Sequence, residues 1–237
     1  VKGANLAMEQ VEAELHDWPQ APYPTKQDVD ASYKLMLERA LTLGDPGAVR
    51  VGVASHNLFE IAYALVVSEH LGAEERIDIE MLEGMAPAQA RAVREVVGEL
   101  LLYAPVVDRA DREASIAYLS RRLDENSAPE NFLRSLFDIT PGSPAWLREA
   151  ERFRASVPAR HTVFTGSNRT QDRTRPMPET PADGSFANTP DTDFTSSANR
   201  AWIAETIAGT SIVEPEIVDT VTSVDGIVAA GLAAQAG

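Results

Sequence analysis

A strand-then-helix pattern repeats three times between residues 49 and 126, roughly every 25 residues. Each unit begins with a short run rich in Val, Ile or Leu, and a segment with helical periodicity follows it. The predicted strands lie in RVGVASHN (50–57), RIDIEMLEG (76–84) and LLLYAPVV (100–107), and the predicted helices span 58–72, 85–99 and 111–126. Short connections of this kind favour a parallel sheet with helical crossovers. The continuous apolar strands favour burial on both faces of that sheet.

The first 45 residues fit an earlier unit of the same kind. VKGA (1–4) is typical of a strand end, an irregular stretch follows, and 28–44 has helical periodicity with a glycine at its end. Four such units form either half of an eight-stranded barrel or part of an open doubly wound sheet. Periodicity alone does not choose between the two.

The chain changes character after about residue 150. Pro, Thr, Asp, Asn and Gly crowd residues 158–197, which is typical of a linker or an extended arm. Short helices are predicted over 198–209 and 223–237. The chain opens without Met and ends in an Ala-rich segment, so we expect it to be a piece of a longer polypeptide.

Charge and composition exclude several classes of protein. The formal net charge of −15 argues against a nucleic-acid surface, because binding phosphates requires clustered Lys and Arg. The absence of Cys excludes disulfides, thiolate metal sites and a cysteine nucleophile, and the spacing of His and carboxylates predicts no metal site. No apolar run approaches the roughly 18 residues of a membrane span and no signal peptide is visible, so we expect a cytoplasmic protein.

The predicted helix over 111–126 contains an arginine doublet within YLSRRLDEN (118–126). Four polar side chains share one face at helical spacing, namely Tyr118, Arg121, Arg122 and Glu125. An apolar stripe on another side, Ile116, Leu119 and Leu123, is expected to pack on the sheet. The polar face is either solvated, with an Arg121–Glu125 pair worth about 0.3–0.5 kcal/mol, or a guanidinium pair that holds a carboxylate. In the second interpretation Tyr118 forms a wall and Glu125 orients an arginine.

Ligands of parallel β/α folds bind at the carboxyl ends of the strands. The corresponding segments here are polar or small: Lys2-Gly3-Ala4, Ser55-His56-Asn57, Leu82-Glu83-Gly84 and Tyr103-Ala104-Pro105. The SHN segment is a candidate phosphate or ribose contact, although a lone His56 is more often a structural histidine. The sequence has neither GxGxxG nor GxxxxGK[ST], so the usual NAD and P-loop motifs are absent.

Six segments together resemble the proline dehydrogenase family: VKGA, ASHN, LEGM, YAPV, YLSRRLDEN and APENFL, in that order. The resemblance covers residues 1 to about 137, and it is greatest to bacterial proteins that carry a fused aldehyde dehydrogenase acting on glutamate semialdehyde. FANTPDTDFTSSANRAW (186–202) resembles the lead-in to that second domain.

The resemblance implies a mixed α/β fold, the C-terminal half of a flavin-binding (β/α)8 barrel, followed by an extended linker and short helices. The implied divisions are the barrel half over 1–140, the linker over 141–197 and the helical lead-in to a truncated aldehyde dehydrogenase domain over 198–237.

The resemblance also implies an activity, the oxidation of L-proline to pyrroline-5-carboxylate by hydride transfer to FAD. This would be one half of a bifunctional enzyme that converts proline to glutamate, with NAD serving the fused second domain. A membrane quinone as electron acceptor, peripheral contact with the inner face of the membrane and a homo-oligomeric parent protein are further expectations. We expect this piece to be inactive by itself.

The family's site residues carry over by position. Those that would contact proline are Arg121, Arg122, Tyr118, Tyr103 and Leu82. Those that would contact FAD are Val1, Lys2, Gly3, Ala4, Thr25, Lys26, Ser55, His56, Asn57, Glu125 and Phe132. Asn5 and Glu83 depart from the family pattern, which affects the expected detail of the pocket. The alternatives are another β/α enzyme whose arginine pair binds a carboxylate or phosphate, and a non-catalytic module whose polar helix face is solvated.

Overall fold

A computed structural model describes residues 6–129, 131–175, 185, 188–210 and 224–235. These residues divide into two compact units. The first unit consists of the described residues up to Gln171 and those between 179 and 193. The second unit consists of the described residues of 172–178 and those from Phe194 onward. The first unit contains the sheet.

Among the residues that the structure describes, the sheet of the first unit contains three parallel strands, β1 (Val51–Ala54), β2 (Ile77–Leu82) and β3 (Leu101–Tyr103), in the order β1-β2-β3. The register pairs Ala54 with Glu80 and Leu82 with Tyr103, so the carboxyl ends of the strands lie at one edge. The predicted parallel sheet with helical crossovers is confirmed.

The described residues of this unit form six helices: α1 (Leu6–Leu15), α2 (Lys26–Leu43), α3 (Leu58–Leu71), α4 (Pro87–Val97), α5 (Arg112–Ser127) and α6 (Pro144–Ala159). Short 3-10 turns span Glu74–Arg76, Arg109–Asp111 and Phe132–Ser135. Local sequence explains the ends of α3. Asn57 caps its first turn, and Gly72 ends it with a φ of 61°, a left-handed conformation that glycine adopts without strain.

The core of the unit lies between one face of the sheet and the helices. Val53, Ile79 and Met81 point to this side and pack with Leu37 of α2 and Ile61 of α3. The expectation that both faces of the sheet are buried is wrong for the described residues. Gly52, Asp78 and Tyr103 alternate with the core positions along the strands, and in the described part of the chain that second face remains exposed.

The outward stripe of α5 is a second correction. Ile116, Leu119 and Leu123 were expected to pack on the sheet, but they are 51%, 40% and 62% exposed. The helix instead contacts the turns at 109–111 and 132–135, and it buries Glu125 from its polar face. Tyr118, Arg122 and Glu125 of the polar face therefore point inward in this unit, whereas Arg121 is exposed.

Helix α6 lies within the range 141–197 that the sequence analysis places in a linker. Ser143 caps it by accepting the backbone N–H of Trp146 at 3.1 Å. Its aromatic side chains pack on α3, with Phe59 4.9 Å from Trp146 and 5.8 Å from Phe153 between ring centroids. This segment therefore extends the compact unit, and α6 supplies part of the cavity described below.

In the first unit, the described residues of 160–171 and 188–193 form no helix or strand, and several of them contact residues 16–23. The indole N–H of Trp18 donates to the carbonyl of Asp191 at 2.8 Å, and the Arg169 guanidinium lies 4.5 Å from the centroid of the Trp18 rings. The Tyr23 hydroxyl donates to the carbonyl of Phe164 at 2.6 Å. These contacts join segments far apart in the sequence.

The second unit contains α7 (Ser197–Gly209) and α8 (Val224–Gln235), which confirms the two helices predicted there. In this unit Asn199 is buried, and its side-chain oxygen accepts the backbone N–H of Arg173 at 2.8 Å. Across both units, none of the helices in the described ranges combines the length and apolarity needed to cross a membrane.

Candidate functional site

A cavity of about 490 Å³ lies at the carboxyl ends of the three strands, within the first unit. Its walls come from the β1–α3 connection, the last residues of β2 and β3, and the helices α2, α5 and α6. Many of the residues singled out in the sequence line it: Lys26, Ser55, His56, Asn57, Leu82, Tyr103, Tyr118, Arg122, Glu125 and Phe132. Segments more than a hundred residues apart in sequence therefore meet at one place.

Other predicted site residues lie elsewhere. Thr25 is the N-cap of α2, where its hydroxyl oxygen accepts the backbone N–H of Asp28 at 3.1 Å. Arg121 is exposed and does not line the cavity. Val1, Lys2, Gly3 and Ala4, like Asn5, lie outside the described residues.

Arg122 and Glu125 form a two-pronged ion pair. Nη2 of Arg122 lies 2.6 Å from Oε1 of Glu125, and Nη1 lies 2.6 Å from Oε2. The sequence interpretation paired Arg121 with Glu125 one turn apart, but the structure places Arg122, three residues away, in that role. Because Glu125 is buried and bidentate, it fixes the plane of the guanidinium.

Two tyrosines form an aromatic wall beside this arginine. The rings of Tyr103 and Tyr118 lie 6.2 Å apart at an angle of 56°, and the Arg122 guanidinium lies 5.5 Å from the Tyr118 ring centroid. A tilted aromatic pair and a cation over a ring are both favourable arrangements. With Leu82, they give the cavity an apolar side next to a positive charge.

The SHN segment, Ser55-His56-Asn57, contributes a polar wall to the cavity. Oγ of Ser55 accepts the N–H of Asn57 at 3.0 Å, and Oδ1 of Asn57 accepts the N–H of Phe59 at 3.0 Å. Nε2 of His56 lies 3.1 Å from the backbone N–H of Leu82 and accepts it, so a neutral ring carries its proton on Nδ1. Burial lowers the pKa of His56 below its usual value of 6.5, which favours that neutral form.

The structure adds polar residues that the sequence analysis missed. The further charged and amide side chains on the cavity are Asp30, Glu60, Glu80, Asn126, Asn131, Glu149 and Arg152. Glu149 and Arg152 could not be found because α6 was not predicted. Glu60 had a signal, since it lies three residues after Asn57 and therefore on the same side of the first turn of α3.

Three buried side-chain atoms in the described ranges have no hydrogen-bond partner: Nδ1 of His56, Oε2 of Glu60 and Nε of Arg122. All three residues line this same cavity. Buried polar atoms in native proteins are nearly always paired, and a group of exceptions at one cavity indicates that water, an ion or a ligand completes the pairing there. The cavity is therefore suited to a polar ligand that offers acceptors to His56 and Arg122 and a donor to Glu60.

Comparison with known proteins places this chain in a family. The family model described as "Proline dehydrogenase" matches residues 1–135, and the chain belongs to this family. None of the curated proteins matches the chain.

Among solved structures, the chain is similar to Proline Utilization A (PutA) from Corynebacterium freiburgense, with 41% sequence identity and a TM-score of 0.65. The match covers 91% of this chain and 19% of that one, so the chain spans about a fifth of the length of its solved relative. The recognition of a proline dehydrogenase domain from its motifs is confirmed.

Proposed function

We propose that this chain provides the proline- and FAD-binding half of an enzyme that oxidises L-proline to pyrroline-5-carboxylate. The observation that carries the proposal is the cavity at the strand ends, where a buried carboxylate orients Arg122 beside two tyrosines and a leucine. Membership of the proline dehydrogenase family favours proline over the sugar acids and phosphates that remained as alternatives.

Arg122 retains donors for a substrate carboxylate after binding Glu125. A guanidinium has five N–H groups, and the ion pair with Glu125 occupies one on each terminal nitrogen. The N–H of Nε and one on each Nη remain, which is enough for the carboxylate of proline. Arg121 has the same role in the proposal, and it reaches the carboxylate only if its exposed side chain turns toward the cavity.

The apolar part of proline fits beside Leu82, Tyr103 and Tyr118. The apolar ring of proline matches this apolar wall, and its carboxylate is complementary in charge to Arg122 at the end of the wall. Holding both parts fixes the distance and angle of the ring, and correct positioning supplies a large share of the rate in such reactions.

The polar wall suits FAD. The N–H at Nδ1 of His56 has no partner in the described part of the chain and is a donor for a phosphate or carbonyl oxygen. Lys26, now paired with Asp30, lies in the first turn of α2 and can turn to a phosphate, while Ser55, Asn57 and Phe132 complete the wall. When bound, FAD supplies the acceptor for the hydride that leaves the carbon next to the proline nitrogen. Val1, Lys2, Gly3, Ala4 and Thr25 are the remaining proposed cofactor contacts.

The wider context belongs to the same proposal. Residues 1–140 would be half of a (β/α)8 barrel, with 141–197 linking it to an aldehyde dehydrogenase domain that uses NAD and begins in 198–237. A bifunctional parent protein of this kind would pass electrons to a quinone at the inner face of the membrane, would lie in the cytoplasm and would form homo-oligomers.

An absorption spectrum of the full-length protein, recorded before and after anaerobic addition of L-proline, tests the proposal. We expect a flavin band that bleaches when proline is added. A flavin band that does not change when proline is added would refute the assignment of proline as substrate. The absence of a flavin band from folded, FAD-supplemented protein would refute the assignment of FAD as cofactor.

A further inference from the structure

A buried ion pair lies directly behind the polar wall of the cavity. Nζ of Lys34 in α2 contacts Oε1 of Glu60 in α3, and the residues are 0% and 5% exposed. The rings of Phe153 and Tyr63 also face the ammonium group, with centroids 4.9 Å and 5.5 Å from Nζ. Lys34 is therefore enclosed by one carboxylate and two aromatic rings, and it does not line the cavity.

Glu60 uses only half of its carboxylate in this pair. Oε1 contacts Lys34, whereas Oε2 is buried and has no hydrogen-bond partner among the residues that the structure describes. Burial raises the pKa of Glu60 while Lys34 opposes that rise, so the lysine favours the ionised carboxylate. A shielded carboxylate oxygen without a donor is unfavourable, and Glu60 borders the cavity from which a donor can come.

We propose that Glu60 is a ligand-binding residue whose Oε2 accepts a hydrogen bond from a sugar hydroxyl of the cofactor, with Lys34 holding its carboxylate in place. This inference rests on the proposed FAD site. Carboxylates commonly accept from ribose hydroxyls in dinucleotide sites. The position also agrees, because Glu60 lies one helical turn after Asn57 and next to the Ser55–Asn57 wall proposed for the same cofactor.

The test compares two double variants of the full-length protein, Lys34→Met/Glu60→Gln and Lys34→Met/Glu60→Met. Both remove the two charges together, so neither leaves a buried charge unpaired. They differ at the cavity, where Gln retains an oxygen acceptor and Met does not. The dissociation constant of FAD is measured for each by quenching of flavin fluorescence. We expect the Met variant to bind FAD about 3- to 10-fold more weakly than the Gln variant, as for the loss of one hydrogen bond.

Repeating the titration with FMN identifies the hydroxyl. The same loss with FMN would assign Glu60 to the ribityl chain, and a loss with FAD alone would assign it to the adenosine ribose. Glu38→Gln is the matched control, because Glu38 pairs with Tyr63 and Arg160 and does not line the cavity. It should leave FAD binding unchanged.

Equal FAD affinities in the two double variants would overturn the role of Glu60. If Lys34→Met/Glu60→Met does not fold, Lys34→Met/Glu60→Leu replaces it and is compared with the Gln variant in the same way. Failure of the wild-type protein to bind FAD would instead overturn the proposed function, so the two failures are distinguishable.

Discussion

Replacement of Lys34 by Met should destabilise the first unit strongly, because it leaves Glu60 buried without its cation. Removing one partner of a buried ion pair costs about 3–5 kcal/mol of folding free energy. That figure applies to this pair because both side chains are buried, with 0% of Lys34 and 6% of Glu60 exposed. The double variant Lys34→Met/Glu60→Met should recover most of the loss, because apolar groups of similar volume replace both charges.

The dependence of this loss on pH follows from the pKa of Glu60. Burial already raises that pKa above 4.5, and Lys34 counteracts the rise, so removing Lys34 raises it further. A group whose folded-state pKa is raised contributes stability that is present below its unfolded pKa and lost as pH rises through the folded value. The Lys34→Met variant should therefore lose little stability near pH 4 and progressively more as the pH rises to 7.

Urea denaturation followed by far-ultraviolet circular dichroism measures these differences. Arg50→Met is the matched control, because it breaks the exposed Arg50–Asp78 pair of the same unit, in which Nη2 of Arg50 lies 2.6 Å from Oδ1 of Asp78 near the amino ends of β1 and β2. Solvent screens that pair, so its loss should leave the transition midpoint nearly unchanged. A midpoint shift for Lys34→Met as small as that of Arg50→Met, or one independent of pH, would refute the reasoning.

Three further predictions concern the cavity itself. In the full-length protein, Arg122→Ala should lower the rate of flavin reduction by proline at least about 100-fold through misplacement of the substrate. Arg122→Lys should restore little of that rate, because a lysine cannot form the two-pronged contact with Glu125. An unchanged rate of anaerobic flavin reduction in either variant would contradict the prediction. The pKa of His56 is lowered by burial, so its contribution to stability is present above pH 6.5 and lost as pH falls from 6.5 toward the folded value. The urea midpoint of the wild type should therefore fall as the pH is lowered from 7 to 5, and that of His56→Gln should fall less. An equal dependence of the two midpoints on pH would contradict this prediction. Asn57→Ala removes the N-cap of α3 and should cost about 1 kcal/mol, whereas Asn57→Asp, which retains an acceptor, should cost less in the same assay.

The repeating units were predictable because each carries its own local signals. The apolar run and the helical periodicity that follows it mark β1 and α3 without knowledge of the rest of the fold. Helix α6 was missed because Pro144 and Pro158 lie at its two ends and its neighbours resemble a linker. Proline is compatible with the first turn of a helix, so Pro144 supports α6 when Ser143 is recognised as its cap.

The orientation of α5 was not predictable from periodicity. Its sequence has an apolar stripe and a polar stripe, and the usual rule buries the apolar one. The structure instead buries Glu125 beside Arg122 and exposes Leu123, because three residues of the polar stripe, Tyr118, Arg122 and Glu125, line the cavity. Periodicity identifies which residues share a face, but the direction of that face depends on tertiary contacts.

The three unpaired atoms also limit what the cavity can bind. Nδ1 of His56 and Nε of Arg122 are donors, and Oε2 of Glu60 is an acceptor when Lys34 keeps it ionised. A lone phosphate or carboxylate satisfies the donors and would be repelled by Glu60. A ligand set that carries anionic groups together with hydroxyl or N–H donors satisfies all three. FAD with an amino acid meets that requirement, since the flavin dinucleotide supplies phosphates and sugar hydroxyls while proline supplies the carboxylate for Arg122. Arg122 alone is compatible with several anionic ligands. The three unpaired atoms taken together support the proposal of FAD with proline.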